Sequence, residues 1–267
     1  MLTRVGSEIV VSPGDRSSFP AVATLSNGNF IVVHGSADDS GTNSGSRGIY
    51  ARIVSAAGVV LGQPFLINTT VTGEQGLPSV SAVAGGFVVT WTDGSASTTS
   101  AGQNIRAQRF DLNGAKVGVE FVVNTTVLGD QTEPVVTVLT NGNYVITWTD
   151  KSDLADFIGV AVVRGQMFSV DGARIGSEFT VEGRATDHQL APAIVATPGG
   201  GFIISYTEYF VAPDAADSGP RVQIFNASGA RVGNEIVVNS TFPGIQDETA
   251  VTVLANGSFV VAWREGS

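Results

Sequence analysis

The 267-residue chain contains no cysteine. That excludes disulfides, thiolate metal sites and cysteine nucleophiles. Histidine is almost as scarce: His34 and His188 are the two present, and they fall in different parts of a repeating pattern. A nucleophilic triad built around a histidine base is not expected. Positive charge is also thin. Lys and Arg number 14 against 24 Asp and Glu, for a net charge of −10, and the basic residues stand singly. A phosphate backbone would be repelled, so no nucleic-acid partner is expected. No apolar run approaches the roughly 18 residues of a membrane helix, so no membrane insertion is expected. The opening MLTRVGSEIVV has no apolar signal core, and any export signal is expected to have been removed or to lie elsewhere.

What the chain has in abundance is glycine, 33 residues of it, set among Val, Thr and Phe. Such a composition belongs to short strands joined by tight turns. The run GNYVITWTD (142–150) has a near copy in GGFVVTWTD (85–93). The aromatic that opens the run recurs as Phe30, Phe87, Tyr144, Phe202 and Phe259, at steps of 57, 57, 58 and 57 residues. A glycine turn precedes each: Asn27-Gly28, Gly85-Gly86, Asn141-Gly142, Gly199-Gly200 and Asn256-Gly257. These pairs predict two-residue hairpins with positive φ.

Each unit contains four strand-like phrases. Phrase A is a short apolar strand such as AVATL, VVTVL or AVTVL, and phrase B follows the turn as FIVVH, FVVTW, YVITW, FIISY and FVVAW. Phrase C (IYARI, IRAQRF, VRGQMF, RVQIF) ends in a glycine turn, and phrase D reads EIVV, FLIN, EFVVN, EFTVE and EIVVN. No stretch keeps a helical period, so the fold class is all-β. Four antiparallel strands in about 57 residues make one β-propeller blade, and blades apolar on both faces must stack around an axis. The units are 13–68, 72–124, 129–182, 187–239, and 246–267 together with 1–12. The expectation is one domain of five blades. Because RVGSEIVV (4–11) nearly repeats RVGNEIVV (231–238), the N-terminal segment is expected to close the ring as outer strand of the last blade. Five full periods need about 285 residues, so that blade is expected to have three strands, to continue in a longer array, or to receive a strand from a partner chain.

The long B–C connections (35–47, 92–103, 149–161, 207–219) share one face with the D–A connections, and rigid scaffolds usually place function on such loops. At the end of strand B sit Trp91, Trp148, Tyr206 and Trp263, with His34 in the first unit. Two residues on come Asp93, Asp150, Glu208 and Glu265, with Ser36 in the first unit. An aromatic plate beside a carboxylate suits a sugar: the ring covers a pyranose C–H face and the acid accepts hydroxyl hydrogen bonds. The competing reading is that these rings fill the space between blades. A second recurring acid, Asp15, Glu74, Asp130 and Asp247, precedes strand A, with Asp187 or His188 in the fourth unit. Either it pins its turn by accepting backbone N–H bonds, or it offers oxygen to calcium. The local acidic runs DDSGTN, DKSDLAD and DAAD do not follow a calcium-loop pattern.

NGNYVITW, NIRAQRFDLNGAKVGVEFVVNTT and GDQTEP together resemble the propeller repeats of large secreted, adhesin-like bacterial proteins, often found beside calcium-binding repeats. The resemblance implies an extracellular module that binds glycans or other cell-surface ligands, with calcium as a frequent companion. The function expected on these grounds is a non-catalytic, lectin-like propeller, with a structural or protein-binding adhesin module as the alternative. A glycoside hydrolase with paired carboxylates in the central funnel ranks below both, since no acid is found on strand A facing the axis. No enzyme activity is therefore expected.

Overall fold

The computed structural model describes residues 7–12, 17–37, 47–96, 102–152, 159–182, 187–209, 218–240 and 244–266. Apart from a 3-10 position at Ser152, all regular structure among them is strand, in five antiparallel sheets. The first holds β1 (Ser18–Thr24), β2 (Phe30–Ala37), β3 (Arg47–Val54) and β4 (Val60–Leu66). The second holds β5 (Gln75–Val83), β6 (Gly86–Asp93), β7 (Asn104–Asp111) and β8 (Lys116–Val122). The third has β9 (Gln131–Val138), β10 (Tyr144–Asp150), β11 (Val162–Phe168) and β12 (Arg174–Thr180). The fourth has β13 (His188–Ala196), β14 (Phe202–Tyr209), β15 (Ser218–Phe225) and β16 (Arg231–Val237). The fifth is two-stranded, β17 (Gln246–Val253) with β18 (Phe259–Glu265). Each four-stranded sheet is a simple meander, as the A–B–C–D phrases require, and the all-β propeller expectation holds.

The hairpin turns differ from expectation in one respect. Four of the five A–B turns are three-residue loops rather than two, closed by bonds such as Leu25 N to Asn29 O and Gly28 N to Leu25 O. One glycine per loop takes the left-handed conformation, as at Gly28 (φ 82°) and Gly142 (φ 85°). That is the geometry of a type I turn followed by a bulge, which needs a single glycine.

Burial follows from stacking. Strands β6 and β10 are buried at every position, and β14 at all but its last. Three apolar clusters lie between successive sheets, the first uniting Ile31, Val33 and Ile49 with Phe87, Trp91 and Phe110. The opening aromatic stacks on the strand-C phenylalanine of its own sheet three times over: Phe87 on Phe110 (5.0 Å), Tyr144 on Phe168 (5.2 Å) and Phe202 on Phe225 (4.8 Å). Arginines at the start of strand D tie neighbouring sheets together. Arg174 Nη1 donates to Val123 O (2.7 Å), and Arg231 Nε donates to Val181 O (2.8 Å).

The ring-closing role expected of the N-terminal segment is not seen. Residues 1–6 lie outside the described residues, and 7–10 are irregular and join no sheet. The segment rests instead on the first sheet: Ile9 packs where Gly58 leaves room, and Arg52 Nη1 donates to Val11 O (2.8 Å). Strand β18 therefore carries no third strand among the described residues.

Cross-strand ion pairs complete the second, third and fourth sheets. Arg106 on β7 bridges Asp93 on β6 and Glu120 on β8, and Arg164 bridges Asp150 and Glu178. Arg221 bridges Glu208 and Glu235. In the first sheet the three positions are Ser36, Tyr50 and Pro64, so the ladder is absent as a unit. Asp93 has no exposed surface, and removing its cation alone leaves an uncompensated buried carboxylate. We expect Arg106→Leu to lower unfolding stability by about 2–3 kcal/mol, reduced because the arginine reaches solvent. Combining it with Asp93→Ser should restore much of that loss in chemical denaturation.

Candidate functional site

The aromatics of strand B explain the centre of the molecule. In every sheet strand A carries a bulge, two residues set against one on strand B. Phe19-Pro20 faces His34, and Leu77-Pro78 faces Trp91. Glu133-Pro134 faces Trp148, Ala191-Pro192 faces Tyr206, and Glu248-Thr249 faces Trp263. The first residue of each pair adopts a left-handed backbone: φ is 52° at Phe19, 51° at Leu77, 58° at Glu133, 52° at Ala191 and 53° at Glu248. These are the only non-glycine residues of positive φ among those described. Side chains take up that conformation at a cost of roughly 1–2 kcal/mol each, and non-glycine outliers of this kind concentrate at functional sites.

The five bulges converge. Phe19, Pro20, Leu77, Pro78, Glu133, Pro134, Ala191, Pro192 and Thr249 line one cavity of about 480 Å³, together with Ser79 and Val135. Strand A of each sheet touches the next, from β1 on β5 through to β13 on β17, so this cavity is the axial funnel. It lies toward the loop-rich end, because Glu133 is only two residues inside β9 from the Gln131–Asp150 pair.

Acids occupy two of these bulges, and one of them, Glu133, corrects the expectation that strand A carries none facing the axis. Glu133 lines the cavity. Its Oε2 accepts hydrogen bonds from Thr149 Oγ1 (2.8 Å) and from the Ala191 N–H of the next sheet (3.1 Å), which fixes the carboxyl and leaves Oε1 uncommitted among the described residues. Glu248, its counterpart beside Thr249, pairs with Arg264 Nη1 (2.9 Å). Arg264 also grips Asp247 through two bonds of 2.8 Å, and Tyr209 Oη donates to Asp247 (3.2 Å). Hydrogen bonding from Arg264 holds the Asp247 carboxyl below its usual range, and burial raises Tyr209. Phe19, half exposed, offers an aromatic face to the same funnel.

The expected aromatic-and-acid binding sites do not survive at most positions. Trp91, Trp148 and Tyr206 have no exposed surface, and His34 is buried and stacked on Tyr50. Trp91 Nε1 donates to Gln75 Oε1 (2.9 Å). The rings fill the space between sheets, under the bulges, and cannot lie against a sugar. Asp93, Asp150 and Glu208 are the buried carboxylates of the arginine ladders. Trp263 and Glu265 alone remain accessible, beside Asn239 and Gln246 on the two-stranded sheet.

Nor are the candidate calcium ligands gathered together. Asp15 lies outside the described residues, as do residues 38–46, 153–158 and 210–217, which hold most of the acidic runs. Asp130 Oδ1 accepts from Gln103 N (2.9 Å) and Glu74 Oε2 from Arg47 N (3.3 Å), each reaching back to the preceding sheet. In the fourth sheet His188 Nδ1 accepts from Ala161 N (3.0 Å) in the same way. Glu74, Asp130 and Asp247 thus each hold their sheet to the preceding one, with His188 in that place in the fourth, and no group of three candidate ligands occurs among the described residues.

The chain's sequence matches no protein-family model and no curated protein. Its architecture has relatives among solved structures. A protein of unknown function from Dyadobacter fermentans aligns with a TM-score of 0.63 at 11% identity, over 96% of this chain and 77% of that one. The α-L-arabinanase of Penicillium chrysogenum, complexed with arabinobiose, aligns with a TM-score of 0.61 at 14% identity, covering 92% of this chain and 75% of that one. The family-93 α-L-arabinofuranosidase of Fusarium graminearum, also with arabinobiose, gives 0.62 at 12% identity over 96% and 78%. At these identities the likeness carries the propeller fold. The resemblance to adhesin-like, calcium-repeat-associated lectin propellers is corrected, because the two neighbours of named activity, the arabinanase and the arabinofuranosidase, are glycoside hydrolases. The expectations of a non-catalytic lectin-like or adhesin module, and of no enzyme activity, fall with it.

Two outcomes test this geometry. Ala191→Gly removes the left-handed penalty while adding unfolded-chain entropy, for a net gain of about 0.5 kcal/mol, and should raise the melting temperature by about 1–2 °C. The second concerns Glu182, raised to about 7 by burial and by the neighbouring Glu235 and Glu208. A carboxyl raised on folding binds more protons in the native state between its ordinary range and 7, so stability should fall as pH rises through that window. Glu182→Gln should flatten that slope in melts taken from pH 4.5 to 8.

Proposed function

We propose that the chain is a glycoside hydrolase acting in the axial funnel, with Glu133 as its proton-transferring carboxyl. The observation that carries this reading is a strained, non-glycine bulge that turns a carboxyl, fixed through one oxygen, into a cavity on the propeller axis. Glycoside hydrolysis requires one carboxyl to protonate the leaving oxygen and a second to activate water or attack the anomeric carbon. We assign the second role to Glu248, the other acid at a bulge: it is paired with Arg264 and stands beside Thr249, which lines the cavity, though Glu248 itself is not part of that lining. Phe19 supplies an apolar face for the sugar ring. A cavity of about 480 Å³ suits a mono- or disaccharide. The arabinobiose held by two of the fold neighbours supports α-L-arabinofuranosides as the substrate class to try first.

The test is release of reducing sugar from arabinan and arabino-oligosaccharides, followed by product chromatography. Glu133→Gln should reduce the rate by about a hundredfold or more, the usual share of a general acid, with the melting temperature held within the range of folded variants. A Glu133→Gln enzyme as active as the wild type, or a folded wild-type protein inert toward arabinan and a broad glycan panel, would refute the assignment.

A further inference from the structure

The seam between the third and fourth sheets is built differently from the seam between the first and second. In each four-stranded sheet an apolar residue of strand D faces strand C: Phe65 opposite Ala51, Phe121 opposite Ala107, Phe179 opposite Gly165 and Ile236 opposite Val222. Phe65 reaches the next sheet and covers Gly114, in the turn between β7 and β8, where a Cβ would meet its ring at 2.7 Å. Phe179 sinks instead onto its own sheet. A Cβ on Gly165 would stand 2.5 Å from that ring, so only glycine lets it lie so low. The ring still meets Phe225 of the fourth sheet (5.3 Å), but it does not cover the matching turn glycine, Gly229, against which Met167 Sδ rests.

A cavity of about 510 Å³ opens there, with Phe179 and Phe225 as its apolar part and Arg164, Glu178, Thr180 and Arg231 as its polar part. Arg231 Nε donates to Val181 O (2.8 Å) and Nη2 to Thr180 O (2.6 Å), which leaves Nη1 without a partner among the described residues. Arg164 Nη1 stands 3.9 Å from Glu178 Oε2, beyond hydrogen-bond reach, whereas the corresponding Arg106 and Glu120 meet at 3.0 Å. Polar groups at that separation are bridged by a hydroxyl or a water between them. Arg164 already faces Asp150 and Glu178, so its charge is balanced. A small anion would meet Glu178 as well as the arginines. A sugar hydroxyl both donates and accepts, and the C–H face of a sugar ring suits an aromatic side chain.

We propose that this cavity is a second carbohydrate site, taking one or two neutral sugar rings against Phe179. One sugar hydroxyl bridges Arg164 and Glu178, and another accepts from Arg231 Nη1. Gly165 is the residue that makes the site, because it sets how deep the ring of Phe179 lies. The cavity shares no lining residue with the axial funnel and does not depend on the hydrolase reading.

Met167 reports occupancy: it and Met1 are the two methionines of the chain, and its sulfur lies against Gly229 in the cavity lining. Protein with isotope-labelled methionine methyl groups is titrated with arabinobiose, xylobiose, cellobiose and mannobiose in turn, and with acetate and phosphate as controls. At least one disaccharide is expected to move the Met167 methyl resonance saturably at millimolar concentration. Gly165→Ala should abolish that response by lifting Phe179 into the cavity, and the fold accepts alanine at this place in the first and second sheets. Arg231→Lys copies Lys116 at the start of β8 and should weaken binding by roughly tenfold, as for one charge-assisted hydrogen bond lost. Glu133→Gln should leave it unchanged, which separates this site from the funnel. A resonance indifferent to every disaccharide, a response that survives Gly165→Ala or is lost with Glu133→Gln, or an equal response to acetate or phosphate would each overturn the proposal.

Discussion

Everything in this molecule depends on how one aromatic per sheet is packed. In the second, third and fourth sheets strand B is buried on both faces, and its large ring lies directly opposite the place where strand A takes up an extra residue. The ring cannot move outward because the neighbouring sheet closes over it, so the bulge is held against a filled interior. That support makes a left-handed, non-glycine residue tolerable at Leu77, Glu133 and Ala191, and His34 is buried beneath Phe19 in the same way. Proline after four of the five bulge residues adds to what that packing must overcome, since it biases the residue before it toward extended backbone of negative φ. Packing between sheets and the shape of the axial cavity are therefore one problem.

The ion-pair ladders have a different task. They do not approach the axis; they bind strands B, C and D of a sheet at its loop-rich end. Such buried pairs contribute little net stability over a well-packed apolar alternative, but a lone member is costly. The first sheet fits that rule, since Ser36, Tyr50 and Pro64 replace the acid, the base and the second acid together. In the fifth sheet Glu265 holds the place of the first acid, pairs with no arginine among the described residues, and lies on an exposed strand.

Much of this was legible in the residues. The steps of 57 and 58 between aromatics, the glycine turns and the absence of helical period specify stacked four-stranded sheets. The role of Trp91 and Trp148 was not legible, because a ring followed by a carboxylate reads alike as a sugar platform and as packing beside an ion pair. The second reading had a sequence signal: Arg106, Arg164 and Arg221 recur in phrase C, Glu120, Glu178 and Glu235 in phrase D, and the first unit lacks both. Glu133 and Glu248 were hidden for another reason. In GDQTEP and QDETA a polar segment followed by proline or threonine resembles a connection, yet β9 begins at Gln131 and β17 at Gln246. A bulge interrupts strand periodicity, so the residues it turns inward fall out of the alternating pattern by which a strand is recognised.

The five bulge residues are Phe19, Leu77, Glu133, Ala191 and Glu248, and they share a backbone frame while differing in chemistry. Since that frame is imposed from beneath, by the ring and the adjoining sheet, the side chain it presents is nearly independent of the scaffold. Such a wheel behaves like a combination lock with five dials. The lining of its axial cavity would change with the side chains at Phe19, Leu77, Glu133 and Ala191, with no loop rebuilt and no change in the repeat that keeps the fold together.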